Sequence, residues 1–255
     1  MTAASLYNMV DSIFIGQGVG PLAISGLAIT FPFINLTAAF GAAIGVGSST
    51  LISVKLGQKD YQYAQRILGN TITLNIIIGV LVGGLCLLFL DPILLFFGAS
   101  ENTISYARDY MEIILAANVF SHMYYGFNAL LRATGKPKQA MYFEMGIKGA
   151  AYATILSQIV ALIWQVRLFS NKKELIHFKS GTYKLQYSLV KNIISIGSAP
   201  FAMNVCACII VIFINNGLLK YGGDLAVGSY GIANKIEFIF LMISMGIDQG
   251  MQPIA

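Results

Sequence analysis

Long apolar runs, separated by short polar links, occupy almost all of this chain. They fall near residues 2–15, 22–54, 68–97, 104–131, 146–168, 187–219 and 225–255. A membrane-spanning helix needs about 20 residues, so the first run is too short to cross by itself. It reads as the end of a helix that starts upstream, with an internal Met as the apparent beginning. The last run stops at Ala255 with no polar exit, so the chain reads as cut at that end too.

The links differ in charge. Lys55, Lys59 and Arg66 flank the link after the second run, and Arg132, Lys136 and Lys138 follow the fourth. Arg167, Lys172, Lys173, Lys179, Lys184 and Lys191 surround 167–191, whereas the link after the third run carries Asp91 and Glu101, and Lys220 and Asp224 cancel at 220–224. Basic loops face the cytoplasm, which places 55–66, 132–138 and 167–191 on one side. Two crossings separate the first pair of loops, as they must. A single run, 146–168, separates the second pair, and one crossing cannot return to the same side. A span is therefore expected to be missing near Phe143–Glu144. A re-entrant 146–168 is the rival explanation, disfavoured because the run is long enough to span.

Composition agrees. Hydrophobic residues make up 56% of the 255 residues and charged residues 11%, against about 25% charged in soluble domains. Mean hydropathy is +0.72. The net charge of +5 does not point to nucleic acid, because the basic residues lie in the links. Cys86, Cys206 and Cys208 all lie in apolar runs and read as buried thiols. The first residues lack the basic start of a cleavable signal peptide. No nucleophile–base set, zinc cluster, P-loop or dinucleotide fingerprint occurs, so the chain does not read as an enzyme.

Residues 20–50 resemble 223–253 at an offset of 203: Gly20, Leu22 and Ala23 match Gly223, Leu225 and Ala226, and Gly47 matches Gly250. Parallel repeats are common in secondary transporters; this one implies one lobe and the beginning of a second. Gly41-x-x-x-Gly45 and Gly79-x-x-x-Gly83 allow close helix packing. Pro32 and Pro200, inside apolar runs, invite kinks.

Asp11 is the sharpest chemical feature, a carboxylate inside the apolar stretch 6–15. Such a group is costly in lipid and marks function: it can exchange a proton or hold Na⁺ with oxygen. Tyr7 and Asn8 are placed to hydrogen-bond it. Glu237 and Asp248, eleven residues apart, share a helix face, with Asn234 and Lys235 just before; they are candidates for lining a substrate cavity. Arg108 and Glu112 read as a local i,i+4 pair, and His122 as a satisfied structural histidine.

Leu6-Tyr-Asn-Met-Val-Asp11-Ser-Ile-Phe-Ile-Gly16, with Gly20-Pro-Leu-Ala-Ile-Ser-Gly26, resembles the start of the MATE (multidrug and toxic compound extrusion) transporters. So do Gly57-Gln-Lys-Asp-Tyr61, Leu131-Arg-Ala-Thr-Gly-Lys136, Gly146-Ile-Lys-Gly-Ala-Ala151 and Gln249-Gly-Met-Gln-Pro253. The ordered set covers nearly the whole chain. The resemblance implies an all-α integral membrane protein of MATE-like architecture. Residues 1–170 are then an N-lobe lacking about one helix (the family's fifth), 171–186 a cytoplasmic linker, and 187–255 the first two helices of a C-lobe. It implies export of amphipathic, often cationic drugs across a bacterial cytoplasmic membrane against H⁺ or Na⁺, by a monomer with no other cofactor and no nucleic-acid partner. Asp11 matches the family's first-helix acid of the N-lobe cation site, and Thr154 the sixth-helix threonine beside it. The family's fifth helix, source of an Asn and an Asp for that site, falls where the loop charges place the absent span. No acid lies between Lys191 and Asp224, which favours the branch relying on the N-lobe acid, the Gram-positive-type multidrug exporters. A lipid-linked oligosaccharide flippase of the same superfamily is the alternative, disfavoured because the in-membrane charges are mostly acidic; a non-transporting membrane fragment is another. A seven-helix receptor is rejected on the loop charges and the repeat.

Overall fold

The computed structural model describes residues 20–134, 151–171, 176–179 and 181–251, and within its helices no side chains at 132, 151–158, 238, 239 and 241–251. These residues form helices α1 (Pro21–Gly57), α2 (Tyr61–Leu88), α3 (Leu90–Phe96), α4 (Ile104–Ala116), α5 (Asn118–Ala133), α6 (Ala151–Ser170) and α7 (Tyr187–Met251), with no strand among them. Three stretches are long and apolar enough to cross a membrane: Pro21–Gly57, Tyr61–Leu88 and Tyr187–Glu237.

Local chemistry sets the ends. Pro21 opens α1, where its missing N–H costs nothing. Three residues later than α1, α2 begins at a cap: the Tyr63 N–H donates to Asp60 Oδ1 at 3.1 Å. The third apolar run is one helix shorter than its hydropathy implies, because the backbone breaks at Phe89. Pro92 then sits in the first turn of α3, which tolerates it. The fourth run breaks at Ala117 into α4 and α5. The expected link at 220–224 is no loop: α7 stays helical up to Gly222 and reverses at Gly223 alone (φ 69°, ψ −172°), a conformation that favours glycine. Pro32 and Pro200 lie inside continuous helical stretches. The run 2–15 and the junction 143–144 lie outside the described residues.

Charge divides the two ends of the bundle as the links predict. Residues 176–187 lie against the first turns of α2 and the end of α6: Asn70 bonds the backbone at 182–186, and the Phe178 N–H donates to Phe169 O at 2.8 Å. Phe127, near the end of α5, packs its ring 5.4 Å from that of Phe169. The ends of α1, α5 and α6 and the start of α2 therefore share one face, which carries Lys55, Lys59, Arg66, Arg167, Lys179 and Lys184. The opposite face carries Asp91, Glu101 and Asp224, and there Ser25 Oγ donates to Asp224 O at 2.7 Å. It follows that α5 and α6 run in the same direction. Continuous over 20 residues, α6 is about 30 Å long, enough for a full crossing.

Two apolar cores fill the bundle. The inner one, at the basic face, centres on Ile52, Ile67, Leu68, Phe127, Leu131, Leu189 and Ile193. The outer one centres on Ile29, Phe33, Leu94, Phe97, Met111 and Val227. Lipid offers no hydrophobic drive between helices, so close backbone approach supplies the packing. Gly41 and Gly45 of α1 meet α5 at His122 and at Tyr125–Ala129, and Gly79 of α2 meets Val119 and His122. Gly47 and Gly197 seat α1 on α7: a Cβ at either would stand 2.0–2.2 Å from a facing carbonyl oxygen.

Candidate functional site

Between α1, α2 and α5 lies a set of buried polar side chains in otherwise apolar surroundings, and one more, Gln165, is buried on α6. His122 is fully buried; its Nδ1 donates to the Asn118 carbonyl, 3.0 Å away on its own helix. A carbonyl only accepts, so the bond fixes the proton on Nδ1 and leaves Nε2 with its lone pair in the neutral ring. Asn118 Nδ2 donates to Gly79 O at 3.1 Å, and Asn75 Nδ2 to Thr71 O at 2.9 Å. Thr71 Oγ1 lies 2.7 Å from Ser48 Oγ, joining α2 to α1. His122 Nε2, Asn75 Oδ1 and both amide atoms of Gln165 are buried without a hydrogen-bond partner among the described residues. Buried polar atoms are seldom left so. His122 thus departs from the satisfied histidine expected of it: one nitrogen is paired and the other is not.

The sequence-predicted site is only partly within view. Tyr7, Asn8 and Asp11 lie outside the described residues. Thr154 stands on the backbone of α6, eleven residues or three turns before Gln165; its side chain is not described. In α7, Asn234 is half-buried and Glu237 exposed, and Asp248 is described as backbone only. The helix is unbroken from 224 to 251, so the spacing that puts Glu237 and Asp248 on one face holds. The expected Arg108–Glu112 pair is replaced. Arg108 bonds Asp91 with two nitrogens, Nε to Oδ1 at 2.8 Å and NH2 to Oδ2, because the break at Phe89 folds α3 back toward the start of α4. The cysteines also divide: Cys208 is buried, Cys86 half-buried and Cys206 exposed, since positions two apart on a helix face different ways. Cys208 Sγ donates to the Pro32 carbonyl at 3.3 Å. Among the described residues no group of three metal-ligating side chains comes together.

The family model for MatE matches residues 1–146, more than half of the chain. The chain belongs to the MatE family. Its likeness to single members runs further along the sequence. It is 28% identical, over 98% of its length, to the multidrug export protein MepA of Staphylococcus haemolyticus, and 25% identical over the same share to MepA of Staphylococcus aureus. In each case it spans 59% of the relative's length. A solved structure of the MATE multidrug transporter DinF-BH in complex with a ligand superposes with a TM-score of 0.87 at 29% identity, covering 100% of this chain and 61% of that one. The MatE protein is thus an all-α, multi-pass membrane protein with the architecture of part of a MATE transporter. Gln165 and Asn75, both buried, escaped the sequence reading. Their signal was present: amides in the middle of apolar runs, of the kind that singled out Asp11, but uncharged.

Proposed function

We propose that this chain is part of a cation-coupled exporter of amphipathic, often cationic small molecules. The observation that carries the reading is the match to drug exporters along 98% of the chain, with Asp11 inside the part that the family model covers. Asp11 serves as the coupling carboxylate, taking H⁺ or Na⁺, with Tyr7, Asn8 and Thr154 as its neighbours. Asn234, Glu237 and Asp248 line the path of a cationic substrate. The work is transport, not catalysis, by a monomer in the cytoplasmic membrane of a bacterium.

The parallel course of α5 and α6 bears on whether the chain can do this alone. Both helices end at the basic face, so a crossing is needed between them, and residues 135–150 are fewer than the about 20 that a spanning helix requires. The aligned stretch with MepA is 268 residues long; set against the 255 residues of this chain, at least 13 of its positions have no counterpart here. We infer that one crossing, the family's fifth helix, is absent from this sequence, and that coupling needs it restored.

Ethidium efflux from cells tests both points. A chain completed with a MepA-derived crossing after residue 143 and with the MepA-derived remainder of the second lobe after residue 255 is expected to export ethidium, and Asp11→Asn in it to abolish export at unchanged membrane abundance. Undiminished efflux in the Asp11→Asn protein would remove the coupling role. Efflux by the unmodified chain would show that no crossing is lacking.

A further inference from the structure

Asn70 lies on α2, fully buried, and its amide is spent on the backbone of a distant segment. Its Oδ1 accepts from the Gln186 N–H at 2.8 Å. Its Nδ2 lies 3.2 Å from Lys184 O and 3.4 Å from Thr182 O, and 2.9 Å from Arg66 O of its own helix. One turn on, Thr73 Oγ1 donates to Tyr183 O at 2.9 Å. Gly69 completes the seat: a Cβ there would stand 2.3 Å from Thr182 O. A short side chain with both a donor and an acceptor can pair with a passing peptide backbone as a neighbouring strand would. Asparagine has both; aspartate keeps only the acceptor.

The segment is held on its other side as well. The rings of Phe127, Phe169 and Phe178 lie 5.4–6.0 Å apart, and Ile176 is buried in the inner core. Immediately downstream, Leu189 and Ile193 of α7 are fully buried in that same core, with Gly47 against the Ile193 carbonyl.

We propose that Asn70 is a positioning residue that clamps the connection between the two lobes onto α2. Residues 176–193 then move as part of the first lobe, although in sequence they look like a linker and the start of the second. Bending between lobes falls further along α7, where Pro200 is the first position without a helical N–H. That consequence rests on the two-lobe transport reading; the clamp does not.

Hydrogen exchange of the 255-residue chain in lipid nanodiscs, resolved to single amides, tests the clamp whether or not the chain transports anything. In Asn70→Ala the Gln186 amide is expected to exchange at least about tenfold faster. The Phe178 amide, held by Phe169 O, and the amides of α1 should keep their rates. Asn70→Asp sets an oxygen against the Arg66, Thr182 and Lys184 carbonyls in place of the donor, so Gln186 should lose protection there too. Unchanged protection of Gln186 in Asn70→Ala overturns the proposal. So does a uniform acceleration that includes Phe178 and α1, which would make Asn70 a general packing residue. If Asn70→Ala does not accumulate, unchanged Gln186 protection in Asn70→Asp overturns it.

Discussion

The inner and outer ends of the bundle each hold an apolar core, and they are closed by different chemistry. At the inner, basic end a covalently tethered strap lies over the core and is held by side-chain-to-backbone bonds from the buried Asn70 and the more exposed Thr73. At the outer end bonds from buried side chains, Ser25 Oγ to Asp224 O and Asn215 Nδ2 to Phe97 O, are joined by exposed ones: the Arg108–Asp91 pair, with side chains 43% and 45% exposed, and Asn102 Nδ2 donating to Asp224 Oδ2 at 3.3 Å. Buried bonds of the first kind escape ionic screening and are costly to leave unmade. Exposed ion pairs gain little and fade with salt. The strap at the inner end is therefore insensitive to salt, whereas part of what holds the outer end weakens as salt rises.

That contrast can be broken by mutation. The largest effect is expected from Phe127→Ala, about 3–5 kcal/mol of lost stability in detergent unfolding. Phe127 is 2% exposed and touches both Phe169 and Phe178, so its removal loosens the strap along with the core. Phe33 of the outer core has one ring neighbour among the described residues, Phe97 at 5.2 Å, and Phe33→Ala should fall at the lower end of that range. A larger loss for Phe33→Ala would reverse the ranking of the two ends.

Glycines on the α1–α7 seam make a finer comparison. A Cβ on Gly47 meets the Ile193 carbonyl at 2.0 Å, whereas one on Gly228 meets the Ser25 hydroxyl at 2.6 Å. Backbone cannot turn aside and a hydroxyl can. Gly47→Ala is expected to cost about 1–3 kcal/mol and Gly228→Ala under about 1 kcal/mol. The thermal midpoints of the two variants check the order. Arg108→Gln should do least, with a small loss at low salt that disappears at high salt. A salt-independent loss would mean that the outer clasp is not electrostatic.

Much of this was legible in the sequence. Loop charge alone grouped 55–66 with 167–191 on one face, because burying a lysine in lipid costs too much for exceptions to be common. The breaks at Phe89 and Ala117 were not legible from hydropathy, which stays high across both; only Pro92 and the polar Asn118 mark them. The Arg108–Asp91 pair follows from the first of those breaks, so it was missed with it. The Asn70 clamp could not be read, since its partners lie 112–116 positions away and periodicity reports only on near neighbours. Glu237 stood out by charge and is exposed, while the buried polar interior is made of amides and one imidazole that no charge count detects.

The shared direction of α5 and α6 also bears on biosynthesis. Each helix leaves the ribosome with positive charge at its trailing end: Arg132 in the last turn of α5, and Arg167, Lys179 and Lys184 about the end of α6. Such charges instruct the insertion machinery to retain that end in the cytoplasm. Two successive helices giving the same instruction can both be obeyed only if something between them is threaded outward.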